Sequence, residues 1–200
     1  MKNLFFLLLF LPGICLSQVN VENMDSSSVG LQDSILGTSF ILKDHSVIFQ
    51  KVYDSDLNKD ELISELKSFL PLVKNFQLAV SPSQNPEQFT GRISDFMVNY
   101  KKFGGSDGLS ASILSLPLSA NVAVQVKDKR YRVTITEIIF KGHGTTPPDA
   151  IVNRPFDDFI SSNHRTKVRT GRNLRIAKLI DKDLATSFDI IADNQVSTKF

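Results

Sequence analysis

The hydrophobic positions change period several times along the chain, and each change marks an element. Residues 46–53 (SVIFQKVY) are rich in β-branched and aromatic side chains and lie between polar clusters, which predicts a strand. The spacing then becomes helical. Leu62, Ile63, Leu66, Phe69, Leu70 and Val73 recur by threes and fours, with Lys59, Glu65, Lys67 and Ser68 on the other side. Asn58 stands where an N-cap belongs and Glu61 follows three residues later, so a capping box is expected to open a helix over about 59–70, with Pro71 near its end. Alternating Phe76, Leu78 and Val80 predict a short strand, and 81–87 (SPSQNPE) a loop. Residues 88–100 read as a longer strand carrying Phe96, Val98 and Tyr100 on one face. Gly91 inside it points to a bulge or a close backbone approach. Residues 101–110 read as a flexible connection.

The clearest alternation lies within 119–140. Val122, Val124 and Val126 alternate, Lys127 to Arg130 turn, and Tyr131, Val133 and Ile135 alternate again, which predicts a β-hairpin. Residues 141–155 contain two glycines and the pair Pro147-Pro148 and read as a loop. No single period governs 156–171. From Arg172, the positions Leu174, Ala177, Ile180, Leu184, Phe188 and Ile191 step by three and four and predict a second amphipathic helix, about 172–193. The order β-α-β-β-β-β-α implies an α+β fold: an antiparallel sheet of about five strands, with both helices on one face. The opposite face would be partly exposed and is the first place to look for a binding surface.

The N-terminus follows a different logic. Met1-Lys2-Asn3 is a short basic start, Leu4 to Leu11 is an unbroken apolar run, Pro12-Gly13 breaks it, and Cys15-Leu16-Ser17 offers small residues for cleavage before Gln18. Residues 1–17 therefore read as a secretory signal peptide, too short for the ~20 residues that span a bilayer. No transmembrane helix is expected after cleavage. A lipoprotein signal also ends at a cysteine, but Ile14 is not the small residue that should precede it. Cleavage would remove the only cysteine, leaving a mature chain without disulfides. That fits the periplasm or the medium of a bacterium better than a eukaryotic secreted scaffold. Residues 18–37, rich in Ser, Asn, Asp and Gln, read as a flexible leader, and 38–200 as a single domain. With 23 Lys+Arg against 21 Asp+Glu, the chain lacks the strong basicity expected of a nucleic-acid-binding domain.

Several local motifs resemble a domain of unknown function found in exported proteins of Bacteroidota, which has a TATA-binding-protein-like (TBP-like) fold. They are the strand at 46–53, the helix start Asn58-Lys59-Asp60-Glu61-Leu62 with Phe69-Leu70, the strand around Phe89-Thr90-Gly91, and the hairpin from Val122 through Lys127-Asp128-Lys129-Arg130-Tyr131-Arg132. The resemblance covers about residues 40–140. It implies that fold, supplies no active site, and does not imply DNA binding.

Candidate chemistry is sparse. Asp54, Asp56, Asn58 and Glu65 fall at positions 1, 3, 5 and 12 of an EF-hand-like loop, but Lys59 stands where its glycine should be, so a capped turn is the better reading. His45, His143 and His164 have no partner at helical spacing, and a zinc site is not expected. Gly104-Gly105 and Gly142-x-Gly144 lack the ending of a phosphate loop, and Gly108-Leu109-Ser110-Ala111-Ser112 lacks the last glycine of a nucleophile elbow. No cofactor is expected. Arg165, Lys167, Arg169, Arg172 and Arg175, with Lys178 and Lys182, form a basic run that could contact an anionic surface. The expected role is a non-enzymatic binding or structural module of the bacterial envelope, its partner an envelope protein or polymer. A hydrolase with dispersed acidic residues and a membrane-surface protein acting through 165–182 are the alternatives.

Overall fold

The computed structural model describes residues 32–79, 86–106, 108, 113–143, 151–162 and 164–191. In chain order its strands are β1 (Gln32–Ser34), β2 (Phe40–Lys43), β3 (Ser46–Asp54), β4 (Phe76–Leu78), β5 (Gln88–Phe96), β6 (Leu118–Lys127), β7 (Arg130–His143), β8 (Ile151–Pro155), β9 (Ser161–Ser162) and β10 (Lys167–Val168). Its helices are α1 (Lys59–Phe69), α2 (Phe156–Ile160) and α3 (Arg172–Ser187). The main sheet is antiparallel and runs β1-β2-β3-β7-β6-β5-β4. β7 is long enough to take two partners on one edge: β3 along Arg130–Ile135 and β8 along Ile139–His143. The α+β, antiparallel architecture is as the periodicity predicts, but the sheet has eight strands rather than five.

Local sequence explains the main joints. Asn58 Oδ1 accepts from the N–H groups of Asp60 and Glu61, both at 3.1 Å, and Glu61 Oε2 accepts from Asn58 N–H at 3.1 Å, which is the predicted capping box. The β2–β3 turn is Asp44-His45, both with positive φ (49° and 64°), the requirement of a type I′ hairpin. Gly91 is a close approach and not a bulge. A Cβ there would lie 2.4 Å from both the Gln77 carbonyl oxygen and the Phe76 ring. The bulges come later in β5, at Asp95 (φ 56°), and in β7, at Glu137 (φ 53°). The second one resets the pleat, so the buried series Tyr131, Val133, Ile135 continues at Ile138 and Phe140.

One contiguous core lies between the sheet and the helices. Phe40, Val47, Phe49, Ile93, Val122, Val124, Val133 and Ile135 face Leu62 and Leu66 of α1, Phe156 and Ile160 of α2, and Ile176, Ile180 and Leu184 of α3. Tyr53 and Tyr131 are paired across β3 and β7, with rings stacked at 4.8 Å and 8°. Their hydroxyls donate to carbonyls at the C-terminal end of α3: Tyr53 to Ala185 at 2.8 Å and Tyr131 to Phe188 at 2.7 Å. The Tyr131 oxygen also accepts from Ile190 N–H at 3.1 Å.

Five expectations change. Part of the segment read as a flexible leader is built in: Gln32–Ser34 pair with β2, and Ile35 is buried. The strand from Gln88 ends at Phe96, because the chain tightens into a 3-10 turn at Tyr100–Phe103. That turn also takes up the start of the predicted connection. Much of the predicted loop 141–155 is strand, since β7 runs to His143 and β8 returns along it. Residues 156–171, which showed no single period, hold α2 and the small β9–β10 hairpin. Finally, α3 stops at Ser187, where Phe188 leaves helical geometry (φ −107°, ψ 13°), so Ile190 is buried while Ile191 is exposed. The segment 1–17, read as a signal peptide, and the body of the 81–87 loop lie outside the described residues.

Replacing Tyr131 by Phe keeps the stack but strips partners from a buried carbonyl and a buried N–H. The cost should be about 1–3 kcal/mol, read as a lower urea midpoint at unchanged slope. Tyr53→Phe, which frees one carbonyl only, should cost less.

Candidate functional site

After β8 the chain makes α2, the β9–β10 hairpin and the start of α3 in quick succession, and these pack on one another. This unit holds the predicted basic run. Arg165, in the hairpin turn, spends its guanidinium internally. Nη1 meets Asp157 Oδ2 at 3.1 Å, while Nε and Nη2 meet Asp158 Oδ1 at 2.9 and 2.8 Å. Asp157 Oδ1 in turn accepts from Val47 N–H at 3.0 Å, at the start of β3, before that strand joins β7 at Phe49. Arg169 Nε donates to the Ser161 carbonyl at 2.6 Å, and Arg172 Nη2 reaches the Gly108 carbonyl at 3.5 Å. Lys167 and Arg175 are exposed.

Two open clefts flank the unit. The larger, about 580 Å³, has Arg154, Arg172, Asn173 and Asp158 around a floor of Ile113, Phe159 and Ile176. The smaller, about 470 Å³, is lined by Asp158, Ser161, Ser162, His164, Arg165 and Arg169. Of the five predicted contact residues, the clefts bring together Arg165, Arg169 and Arg172, while Lys167 and Arg175 line neither. Arg154 was missed by sequence reasoning. It sits in a strand read as a loop, and no period ties it to Arg172, which is 18 positions away.

The sheet face turned away from the helices is the other candidate. A trough of about 420 Å³ there is lined mainly by small or polar side chains, among them Ala79, Thr90, Asn121, Ala123 and Thr134, with Arg92 beside them. Arg132 bonds Gln125 across the β6–β7 pair on the same face.

The remaining candidates take structural places. Asn58 is a cap, and His45 and His164 are turn residues, with His45 Nδ1 3.2 Å from the His164 carbonyl oxygen. His143 lies in β7, and 109–112 fall outside the described residues. Among the described residues, no group of three or more His, Cys, Asp or Glu side chains is placed to hold a metal. No described helix is long and apolar enough to cross a membrane.

Two carboxyls have perturbed acidity. Burial pushes Asp157 above the usual range, against the opposing pull of Val47 N–H and Arg165. Burial likewise raises Asp183, opposed by the Asn99 N–H that it accepts at 2.7 Å and more weakly by Lys102 and Lys74. Each accepts a backbone N–H from a distant segment and so serves as a tether.

No protein-family model and no curated protein matches the chain. Two solved structures are similar to it. A TBP-like protein from Parabacteroides distasonis shares 13% identity over 78% of this chain and 90% of its own, at a TM-score of 0.42. A DUF4468 family protein from Bacteroides ovatus shares 13% identity over 76% and 83%, at 0.41. The first is described as TBP-like and the second as a member of a DUF family, the two terms in which the sequence resemblance was stated.

The raised pKa of Asp183 has a consequence of definite sign. Folding favours its neutral form, so its contribution is fullest at acid pH and falls as pH rises from the ordinary carboxylate range through the raised folded value. Asp183→Asn keeps an acceptor for Asn99 N–H. Urea titrations between about pH 4 and pH 7 should show a smaller loss of stability with rising pH in the variant. Asp183→Ala, which removes the acceptor for that N–H, should lose about 1–3 kcal/mol at the acid end and less near neutral pH.

Proposed function

We propose that this protein is an exported, non-enzymatic binding module of the bacterial envelope that holds an anionic envelope polymer at its basic end. The observation that carries the proposal is charge segregation. Residues 152–182 contain eight Lys and Arg against three Asp, whereas the rest of the chain has 15 basic against 18 acidic residues. Those basic residues sit on one packed unit beside two clefts. Lys167, Arg169, Arg172 and Arg175 are the contacts, with the partly exposed Arg165 at the rim. Such a patch attracts polyanions over about a Debye length, roughly 8 Å in physiological salt, so the binding is salt-sensitive. Export is supported by the leader at 1–17.

Dextran sulfate serves as the probe polymer. The mature chain should bind it, more weakly as salt rises, and the double variant Lys167→Gln/Arg175→Gln should bind several-fold more weakly, while Lys67→Gln on α1 should behave as wild type. Equal binding by the double variant would sink the proposal. Binding confined to phosphatidylglycerol vesicles, with none to the polymer, would replace it by membrane-surface attachment. Mass spectrometry of the product from its native host should give a chain starting at Gln18; one retaining Met1 would remove the envelope from the proposal.

A further inference from the structure

We infer that the larger cleft, between β8, α2 and the start of α3, is a pocket for one small amphiphilic anion: a short apolar body carrying a phosphate or carboxylate head. The inference deepens the reading of the basic end and shares its electrostatics and Arg172, but it concerns a discrete cleft that Lys167 and Arg175 do not line. Three features on the same wall point to this ligand class.

The first is size. At about 580 Å³ the cleft lies within the roughly 300–1,000 Å³ of small-molecule pockets. The second is the floor. Ile113 and Ile176 are 5% and 1% exposed, and Phe159 packs on the core with its ring 6.1 Å from that of Phe156. Asn173 Nδ2 donates to the Phe159 carbonyl at 2.6 Å and ties the end of α2 to α3, which holds that floor in place. A fixed apolar floor offers an alkyl or aryl body a surface to take out of water on binding.

The third is the rim. Arg154 and Arg172 line the cleft from two different elements, and among the described residues neither has an acidic partner within 4 Å. Asp158 also lines the cleft, but Arg165 holds its carboxylate through two nitrogens, so its charge is countered locally. The guanidinium is a planar fork of donors that fits phosphate and carboxylate oxygens, and it is less strongly hydrated than an ammonium. Cationic forks at the rim and an apolar floor beneath match a molecule that is charged at one end only. A bare inorganic anion would leave the floor uncovered, and an uncharged alcohol would leave the guanidiniums unused.

The test is a titration of the isotopically labelled mature chain, followed by amide NMR, with hexyl phosphate, inorganic phosphate and hexanol as separate probes. Hexyl phosphate, kept below its micelle concentration, should give saturable shifts at Asn153, Asn173 and Ile176. It should half-saturate at a concentration about tenfold or more below either other probe. Arg154→Gln and Arg172→Gln should each weaken it about tenfold. Arg154 is exposed, so that variant should keep the wild-type spectrum, and Arg172→Gln gives a second reading. Lys167→Gln/Arg175→Gln should leave hexyl phosphate binding intact even while dextran sulfate binding drops, which separates the pocket from the polymer surface. Equal affinity for inorganic and hexyl phosphate, no saturable shift, or shifts unaffected by both arginine variants would each overturn the inference.

Discussion

Leu184, Ala185 and Phe188 at the end of α3 are buried, and buried helix ends are a problem. The final carbonyls of any helix have no partner within it, and hiding them from water costs free energy unless something donates to them. Here two tyrosines do so. Tyr53 and Tyr131 face each other across β3 and β7, stack, and send their hydroxyls to Ala185 and Phe188. Burial, aided by the neighbouring phenol, pushes the pKa of Tyr53 far upward, and burial does the same for Tyr131. Both therefore stay neutral donors across the physiological range. The rest of the architecture depends on this clamp, because α3 lies across the inner face of a sheet whose valines and phenylalanines would otherwise meet water.

Once α3 is held there, its acidic residues stitch in remote parts of the chain. Asp181 Oδ1 accepts from Ser39 N–H at 2.6 Å beside β2, and Asp183 Oδ2 accepts from Asn99 N–H beyond the end of β5. Asp157 on α2 works in the same way on β3. Part of the acidic complement is thus turned inward as backbone acceptors, while the basic side chains of the same region point to solvent or rim a cleft. The charge asymmetry of the surface follows from this division of labour. The other end of α3 brings Arg172 to the cleft, so the clamp at the C-terminal end also fixes the position of one wall of the proposed pocket, four turns away along a rigid helix.

Elements governed by a sustained period were legible in the sequence. The capping box at Asn58 and Glu61, the valine hairpin and the inward series Ala177, Ile180, Leu184 and Phe188 appear where the periodicity places them. What was not legible has specific causes. Glu137 takes a left-handed conformation and shifts the pleat by one residue, so Ile138 and Phe140 break the alternation although they continue the buried row. β1 and β8 are edge strands of 3 and 5 residues, too short and too polar to stand out from loops. Their pairing is a tertiary matter. Of the candidate site, the basic run was visible as composition, but not its division into Arg165, which crosslinks α2, and Arg172, which opens onto a cleft. Arg154 became apparent only because β8 returns alongside β7.

Native-state hydrogen exchange tests the clamp most directly. If the tyrosines fasten α3 to the sheet, the amides from Ile180 to Phe188, together with Ile190, should exchange only through global unfolding, with opening free energies equal to those of the β6–β7 hairpin amides. Exchange of these α3 amides through a local opening well below the global value, while the hairpin remains protected, would contradict the account.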